Sequence, residues 1–268
     1  MTLSSARSAS AATAALGVVL AARRVRALSH SGAAAAWAVG TISVAGGGWV
    51  AGGALVAFFA TSSILSRLVR RQAGGTAQQR GSERDAVQVA ANGGVAALAA
   101  VGMAIGDPRG VARAAYYGSL ATAAADTWAT ETGRGSAQPP RRLLVGPVVP
   151  AGTSGGMSPR GTIGSIAGAA TVAAFAAMHP GEPGSERVRA FTSTLISGVA
   201  SALADSLLGA IAQQVRVCPV CGRETEAVSH CGTSTRHVRG VRWLDNDGVN
   251  AVATATGGLL AATLHRLR

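Results

Sequence analysis

Ser119-Leu-Ala-Thr-Ala-Ala-Ala-Asp126-Thr-Trp-Ala-Thr-Glu131-Thr-Gly133 is an apolar run of small residues that ends on two carboxylates. Acids at the edge of a hydrophobic segment are costly to keep there, so they mark a functional site. The pattern recurs in Gly198-Val-Ala-Ser-Ala-Leu-Ala-Asp205-Ser206-Leu-Leu-Gly209, which again reads Ala-Asp-Thr/Ser after small residues. Together the two stretches predict helices that hold acidic chemistry at a membrane.

Composition extends that reading to the whole chain. Its 268 residues are 48% hydrophobic and only 13% charged, with 36 glycines, and the mean hydropathy is +0.31. Abundant Ala and Gly suit membrane helices whose backbones approach closely. A soluble Ala-rich bundle would need charged outer faces, and the uncharged gaps are too long for them. No charge lies between Arg26 and Arg67, Asp85 and Asp107, Arg160 and Glu182, Arg189 and Asp205, or Asp247 and Arg266. About 20 apolar residues span a bilayer, so each gap holds one span, and the first holds a two-helix hairpin. The chain is thus expected to be all-α: one integral membrane domain over 1–268, a polytopic bundle of 7–8 spans. Helices are predicted at 9–22, 33–48, 49–66, 86–106, 113–130, 161–179, 190–214 and 248–265. The first, about 14 residues ahead of Arg23-Arg24, also fits a signal peptide or an interfacial anchor.

All 24 basic residues are arginine. Loops after odd-numbered helices carry 17 of them, against 7 elsewhere. The positive-inside rule then places those loops in the cytoplasm, both termini outside, and the protein in the cell (inner) membrane. The net charge of +12 is accounted for by orientation and anionic lipid, so no nucleic-acid partner is expected.

On this topology four polar clusters share the cytoplasmic face. They are Asp126 with Glu131; Pro150-Ala-Gly152-Thr153-Ser154-Gly155-Gly156; Glu83, Asp85, Gln88 and Asn92; and Leu244-Asp245-Asn246-Asp247-Gly248-Val249-Asn250. Carboxylate and amide oxygens are hard ligands suited to Mg²⁺ shared with substrate phosphates. The glycine run ahead of a helix is expected to aim backbone N–H groups and the helix dipole at an anion. Arg141, Arg142 and Arg160 flank it; Arg160 is the expected phosphate partner, and Arg141 and Arg142 suit anchors of the loop at the lipid headgroups. With no lysine in the chain, a Walker A phosphate loop is excluded. Asp126 and Glu131 stand five apart, poor spacing for one helical face, so Glu131 must lie past the helix end to join the site. A faint internal repeat is also visible. Asn92-Gly-Gly-Val95 precedes the Asp126 stretch, and Ser154-Gly-Gly-Met157 precedes the Asp205 stretch, as in duplicated membrane folds with a site at the repeat interface.

Cys218-Pro-Val-Cys221, His230-Cys231 and His237 read as a small zinc knuckle in the 215–247 loop. Three thiolates from Cys218, Cys221 and Cys231 would be completed by His230 or His237. Its expected role is structural, fixing the loop that delivers Asp245 and Asp247.

Six ordered motifs then carry a family resemblance: Phe58-Phe-Ala-Thr-Ser-Ser63, Val87-Gln-Val-Ala-Ala-Asn92-Gly93, Ala125-Asp-Thr-Trp-Ala-Thr-Glu131-Thr-Gly133, Gly152-Thr-Ser-Gly-Gly156, Asp205-Ser-Leu-Leu-Gly209-Ala and Asp245-Asn-Asp-Gly-Val-Asn250. From about Leu28 to the last helix the chain resembles the integral membrane family, classed as a domain of unknown function, that includes transmembrane protein nineteen of animals and the plant phytyl-phosphate kinases. The resemblance implies phosphoryl transfer from a nucleoside triphosphate, with Mg²⁺, to a prenyl monophosphate of the phytyl or geranylgeranyl type. A monophosphate already presents an anionic nucleophile, so catalysis reduces to positioning and charge neutralisation. The expected metal ligands are Asp126, Asp205 and Asp245 or Asp247, with Glu131 as a further ligand or orienter. Asn92 and Asn250 are expected to hydrogen-bond phosphate or ribose. Two rival classes use the same parts: a lipid-phosphate nucleotidyltransferase, and a transporter or flippase of a prenyl phosphate. The animal members resemble this chain without its cysteines, which implies a structural role for that cluster.

Overall fold

The computed structural model describes residues 5–72, 83–136, 138–143, 145–150, 153–179, 182–225 and 227–267. Gly152 lies outside them. Among the described residues seven helices occupy the predicted places: α1 Ser5–Arg24, α2 His30–Gln72, α3 Ala86–Ile105, α4 Val111–Arg134, α5 Pro159–Ala176, α6 Gly184–Ile211 and α7 Asn246–Arg266. The expected hairpin is present inside α2. Its helical geometry breaks at Gly48, with φ 77° and ψ −174°, a conformation open to glycine and costly for any residue with a Cβ. The arms 30–47 and 49–72 then fold against each other, so Phe59 packs on the same cluster as Ala33 and Ala36. Elsewhere capping residues fix the helix starts. Asp85 forms a capping box with Gln88, Ser158 accepts from Gly161 N ahead of Pro159, and Asp245 accepts from Gly248 N, each satisfying orphan amides of a first turn.

Helix α4 is central and packs against α2, α3, α5, α6 and α7. Its residues Tyr116 to Ala125 are all buried. Small residues make this possible. A Cβ on Gly257 of α7 would sit 2.9 Å from Gly118 O of α4 and strike the Thr122 hydroxyl, so the two backbones touch. The partition of sizes is inverted relative to a soluble protein. Ala, Gly and Ser dominate the core around a few larger side chains such as Tyr116, Tyr117, Leu120 and Val172, while Leu98, Ile105, Ile163 and Leu259 stand 74%, 84%, 68% and 71% exposed. Large apolar side chains turned outward need an apolar surrounding. Among the described residues, three helices are long and apolar enough to cross a membrane: His30–Val69, which holds both hairpin arms, Ala86–Ile105 and Gly184–Ile211.

Neighbour contacts give the helix directions. Antiparallel packing runs α4 against α5 (Gly168 at Ala124, Gly161 at Ala129) and α4 against α7 (Gly257 at Thr122, Gly118 at Ala261). Helices α4 and α6 run the same way. The ends at Arg24, His30, Gln72, Ala86, Arg134, Pro159, Ile211 and Asn246 therefore lie together, at what we call the acidic end. The opposite end carries the Arg113–Glu182 ion pair (2.7 Å) and the His265 ring against Arg109 O (2.7 Å).

Loops at the acidic end add a little β structure to the helical frame. Strand β1 (Arg141–Arg142) pairs antiparallel with β2 (Gly156–Met157). Between α6 and α7, β3 (Val215–Val217) is flanked by β4 (Glu224–Thr225) and β7 (Arg236–Arg239), and β5 (Ser229–His230) pairs with β6 (Thr233–Ser234). The two Gly-Gly motifs of the expected repeat fall in different elements, Gly93-Gly94 inside α3 and Gly155-Gly156 in a turn ahead of α5, so they do not mark equivalent positions.

Candidate functional site

Asp126 and Asp205 meet at the acidic end. Helices α4 and α6 cross where a Cβ on Gly198 would lie 2.8 Å from that of Ala121. From that crossing Asp126 is five residues on and Asp205 seven. At about 1.5 Å rise per residue the two acids reach nearly the same level. They interact electrostatically, each carboxylate opposing the charge of the other, while the Arg134 guanidinium attracts Asp126. Asp205 Oδ2 is buried and has no hydrogen-bond partner among the described residues, and neither does the buried indole Nε1 of Trp128.

Glu131 departs from expectation. Helix α4 runs on to Arg134, with Gly135 as its C-cap, because no strong breaker precedes Gly133. Glu131 is therefore inside the helix. Five residues turn it about 140° away from Asp126, onto the face toward α2. There its Oε1 accepts from Ser66 (2.7 Å) and pairs with Arg134 (3.3 Å). Beside it, Arg84 donates to Ser63 (2.7 Å) and lies over the Phe59 ring at 5.2 Å.

The glycine run is a turn rather than a helix-borne anion cradle. Thr153 N donates to Pro150 O and Gly156 N to Thr153 O. Gly156 then enters β2, and α5 starts only at Pro159, with the first-turn amide Gly161 N taken by the Ser158 hydroxyl. The run instead docks on α6. A Cβ on Gly155 would lie 2.9 Å from both Ala210 Cα and Ser206 O, and Ser154 sits against Gly209. Arg160 donates to Gly135 O (2.6 Å), tying α5 to the end of α4. An open cleft of about 480 Å³ lies alongside, lined by Gly133, Ser136, Gln138, Pro140, Val149 and Pro150 among others.

The 245–250 motif divides its labour. Asp245 is the N-cap of α7 and spends Oδ1 on Gly248 N (3.0 Å), so it is a structural cap before it is a ligand. Asp247, in the first turn, is the buried acid. Asn250 is half-buried one turn before Thr254, whose hydroxyl donates to Ala91 O of α3 (3.0 Å). Asn92 bonds back to Gln88 O (2.9 Å) within α3.

The cysteine motif closes on itself. Single ligand atoms of Cys218, Cys221, His230 and Cys231 all lie within 4.8 Å of one another. His237 is not among them: its Nε2 is 3.0 Å from Gly240 O, and its place on β7 opposite Arg216 holds it in the sheet.

Integral membrane protein DUF92 is the family model that matches this chain, over residues 13–258. The chain belongs to the DUF92 family. It is similar to Protein PGR of Arabidopsis thaliana, 27% identical over 250 residues, covering 85% of each chain. It is also similar to the uncharacterized membrane protein MJ0933 of Methanocaldococcus jannaschii, 27% identical over 150 residues, covering 56% of this chain and 50% of that one. No solved structure matches it.

In this DUF92 chain the fold brings to Glu131 and the acidic end two residues that the sequence did not single out, Ser66 and Arg84. Ser66 lies three residues past the Phe58–Ser63 motif, but its bond to Glu131 spans 65 positions and has no local signature. Of the sequence-predicted acids, Asp126 and Asp205 are brought into mutual interaction, and oxygen donors of this kind suit a hard cation. The unpartnered Asp205 Oδ2 is a buried acceptor that a cation would satisfy.

Proposed function

We propose that the protein is a membrane-embedded phosphotransferase that moves a phosphoryl group from a nucleoside triphosphate to an isoprenoid monophosphate. The observation that carries this reading is the pairing of Asp126 with Asp205 at one end of an apolar bundle, with Asp205 Oδ2 buried and unsatisfied. Two like charges brought together at low dielectric are costly without a countercharge, and a divalent metal with polyphosphate is a countercharge of that class. Asp126, Asp205 and Asp247 would hold Mg²⁺, which when bound neutralises charge on the transferring phosphates.

The remaining residues position the substrates. Arg134 faces Asp126, Arg160 lies at the end of α4, and the two would balance phosphate charge. Asn92 and Asn250 supply amide donors from α3 and α7. The cleft at 133–150 is of a size that receives a small ligand. The acceptor's own phosphate oxygen attacks the γ-phosphorus, an O–P bond forms, and the bond to the β-phosphate oxygen breaks. No proton need move, so the absence of a histidine from this set is consistent with the reaction. Outward-facing Leu and Ile surfaces suit an isoprenoid tail lying along the bundle. The excess of arginine in the loops of the acidic end supports a cytoplasmic location for the site.

The test is purified protein in detergent with Mg²⁺, radiolabelled nucleoside triphosphate and phytyl or geranylgeranyl monophosphate. The expected products are prenyl diphosphate and nucleoside diphosphate. Release of pyrophosphate would replace this reading with nucleotidyl transfer, and nucleotide-independent flux across vesicles without product would replace it with transport.

A further inference from the structure

We propose that Cys218, Cys221, His230 and Cys231 form a closed, structural zinc site that fixes the connection between α6 and α7. Such a site would stand whether or not the protein is a phosphotransferase.

Two separate turns build the cluster. In the first, Gly222 N donates to Cys218 O (2.9 Å) and Cys218 N to Arg223 O (3.0 Å), with Gly222 at φ +69°. This backbone curl turns Cys218 and Cys221 to one side. In the second, His230-Cys231-Gly232-Thr233 is the tight turn between β5 and β6. Cys231 stands at φ +52° and Gly232 at +72°. A cysteine in the left-handed region is strained by its Cβ, and the conformation brings its sulfur back toward the first turn. His230 Nδ1 then lies 3.2 Å from Cys231 Sγ and 3.5 Å from Cys221 Sγ. Around a tetrahedral zinc with bonds of about 2.3 Å, sulfurs are spaced roughly 3.8 Å apart. The observed cluster, within 4.8 Å throughout, is of that size. A disulfide would use two of the three sulfurs and leave the third and the imidazole without a purpose.

The surrounding segment also needs such a centre. Among its described residues, 215–239 buries only Val215, Cys218 and Thr235, while Val220 and Val228 are 69% and 67% exposed. So small an apolar core cannot order a β segment of this length unaided; metals and disulfides are the usual substitutes. Four protein ligands leave no open position, which marks a structural and not a catalytic site. The ordered segment is joined to both acidic helices: Val241 N donates to Ala212 O, and Gln214 N to Leu244 O. Zinc thereby sets where α7 starts relative to the end of α6, and so where Asp247 stands relative to Asp205.

The experiment uses the full-length, tag-free protein in detergent, with elemental analysis and Co²⁺ exchange read by visible absorption. About one zinc per chain is expected, with tetrahedral thiolate bands from the Co²⁺ form. His237→Ala should keep the metal and Cys218→Ser should lose it. His230→Cys should retain it in a four-thiolate site, which keeps the idea testable if Cys218→Ser fails to fold. In wild type, stripping the metal with a mercurial thiol reagent and chelator should speed proteolytic cutting within 215–239 at least tenfold. Folded wild-type protein with three freely reactive thiols and negligible zinc would overturn the proposal. So would iron in place of zinc, or loss of metal in His237→Ala.

Discussion

Gly155→Ala tests whether the turn at 153–156 is a docked structural element. Gly155 has φ +75°, which costs an L residue about 1–2 kcal/mol. Its new methyl group would lie 2.9 Å from Ala210 Cα and 2.9 Å from Ser206 O, and would collide with Ala210 Cβ. Comfortable carbon contacts are at about 3.5–4.0 Å, so the turn or the end of α6 must move by roughly 1 Å. Overpacking of this kind costs about 1–3 kcal/mol. The sum, about 2–5 kcal/mol, corresponds to a fall in Tm of about 5–15 °C for a chain of this size. Thermal unfolding in detergent, followed by intrinsic fluorescence, is the assay. Gly94→Ala is the control: it lies in α3 with nothing within 4 Å of its added Cβ, so it should be neutral or stabilising by about 0.5–1 kcal/mol. Because Ser206 adjoins Asp205, Gly155→Ala protein that remains folded should also lose phosphoryl transfer. A Gly155→Ala protein melting with wild type would refute the docking of this turn on α6.

Asp126→Asn and Asp205→Asn should insert and fold at least as well as wild type, because an amide pair removes the repulsion between two carboxylates, yet prenyl-phosphate kinase activity at matched protein should fall about 10²-fold or more. Gly257→Ala should destabilise by about 1–3 kcal/mol, since its methyl group would meet both Gly118 O and the Thr122 hydroxyl; adding Thr122→Ala should restore part of the loss in the same unfolding assay. Gln138→Cys, introduced into a chain lacking its native cysteines, should react with an impermeant maleimide only after cells are opened, and labelling in intact cells would reverse the assigned orientation.

The helix positions were legible because charge is scarce. Each long uncharged gap had to be a helix if the chain enters a membrane, and even the hairpin at Gly48 follows from a gap too long for one span. Helix ends were less legible. Helix α4 runs four residues past the predicted 130, through Glu131 to Arg134, because charged residues are good helix formers once past the apolar zone. Helix α6 likewise begins at Gly184, with the Glu186–Arg189 pair in its first turns. What failed was whatever depended on a tertiary neighbour. The docking of Gly155 on α6 and the Ser66–Glu131 bond join distant segments. Strand register brings His230 and not His237 beside the cysteines, since β7 carries His237 into the sheet while the β5–β6 turn presents His230.

The small residues and the acids are one design. Asp126 and Asp205 can face each other only if α4 and α6 approach closely, and the crossing that sets their level is Gly198 against Ala121. A large side chain at either position would push the helices apart and separate the carboxylates, whatever their own identity. Close packing of this kind leaves room inside for few large side chains, such as Leu28 and Leu120, and turns Leu98, Ile105, Ile163 and Leu259 outward, which commits the bundle to an apolar surrounding. The Ala-Asp-Thr and Ala-Asp-Ser sequences thus record two requirements at once: backbone contact up to the acid, and charge from the acid onward. The same logic explains why the polar partners come from loops and helix ends. Ser66, Arg84, Arg134 and Arg160 all lie at the acidic end, where polar side chains can act without being buried among the packed alanines of the core.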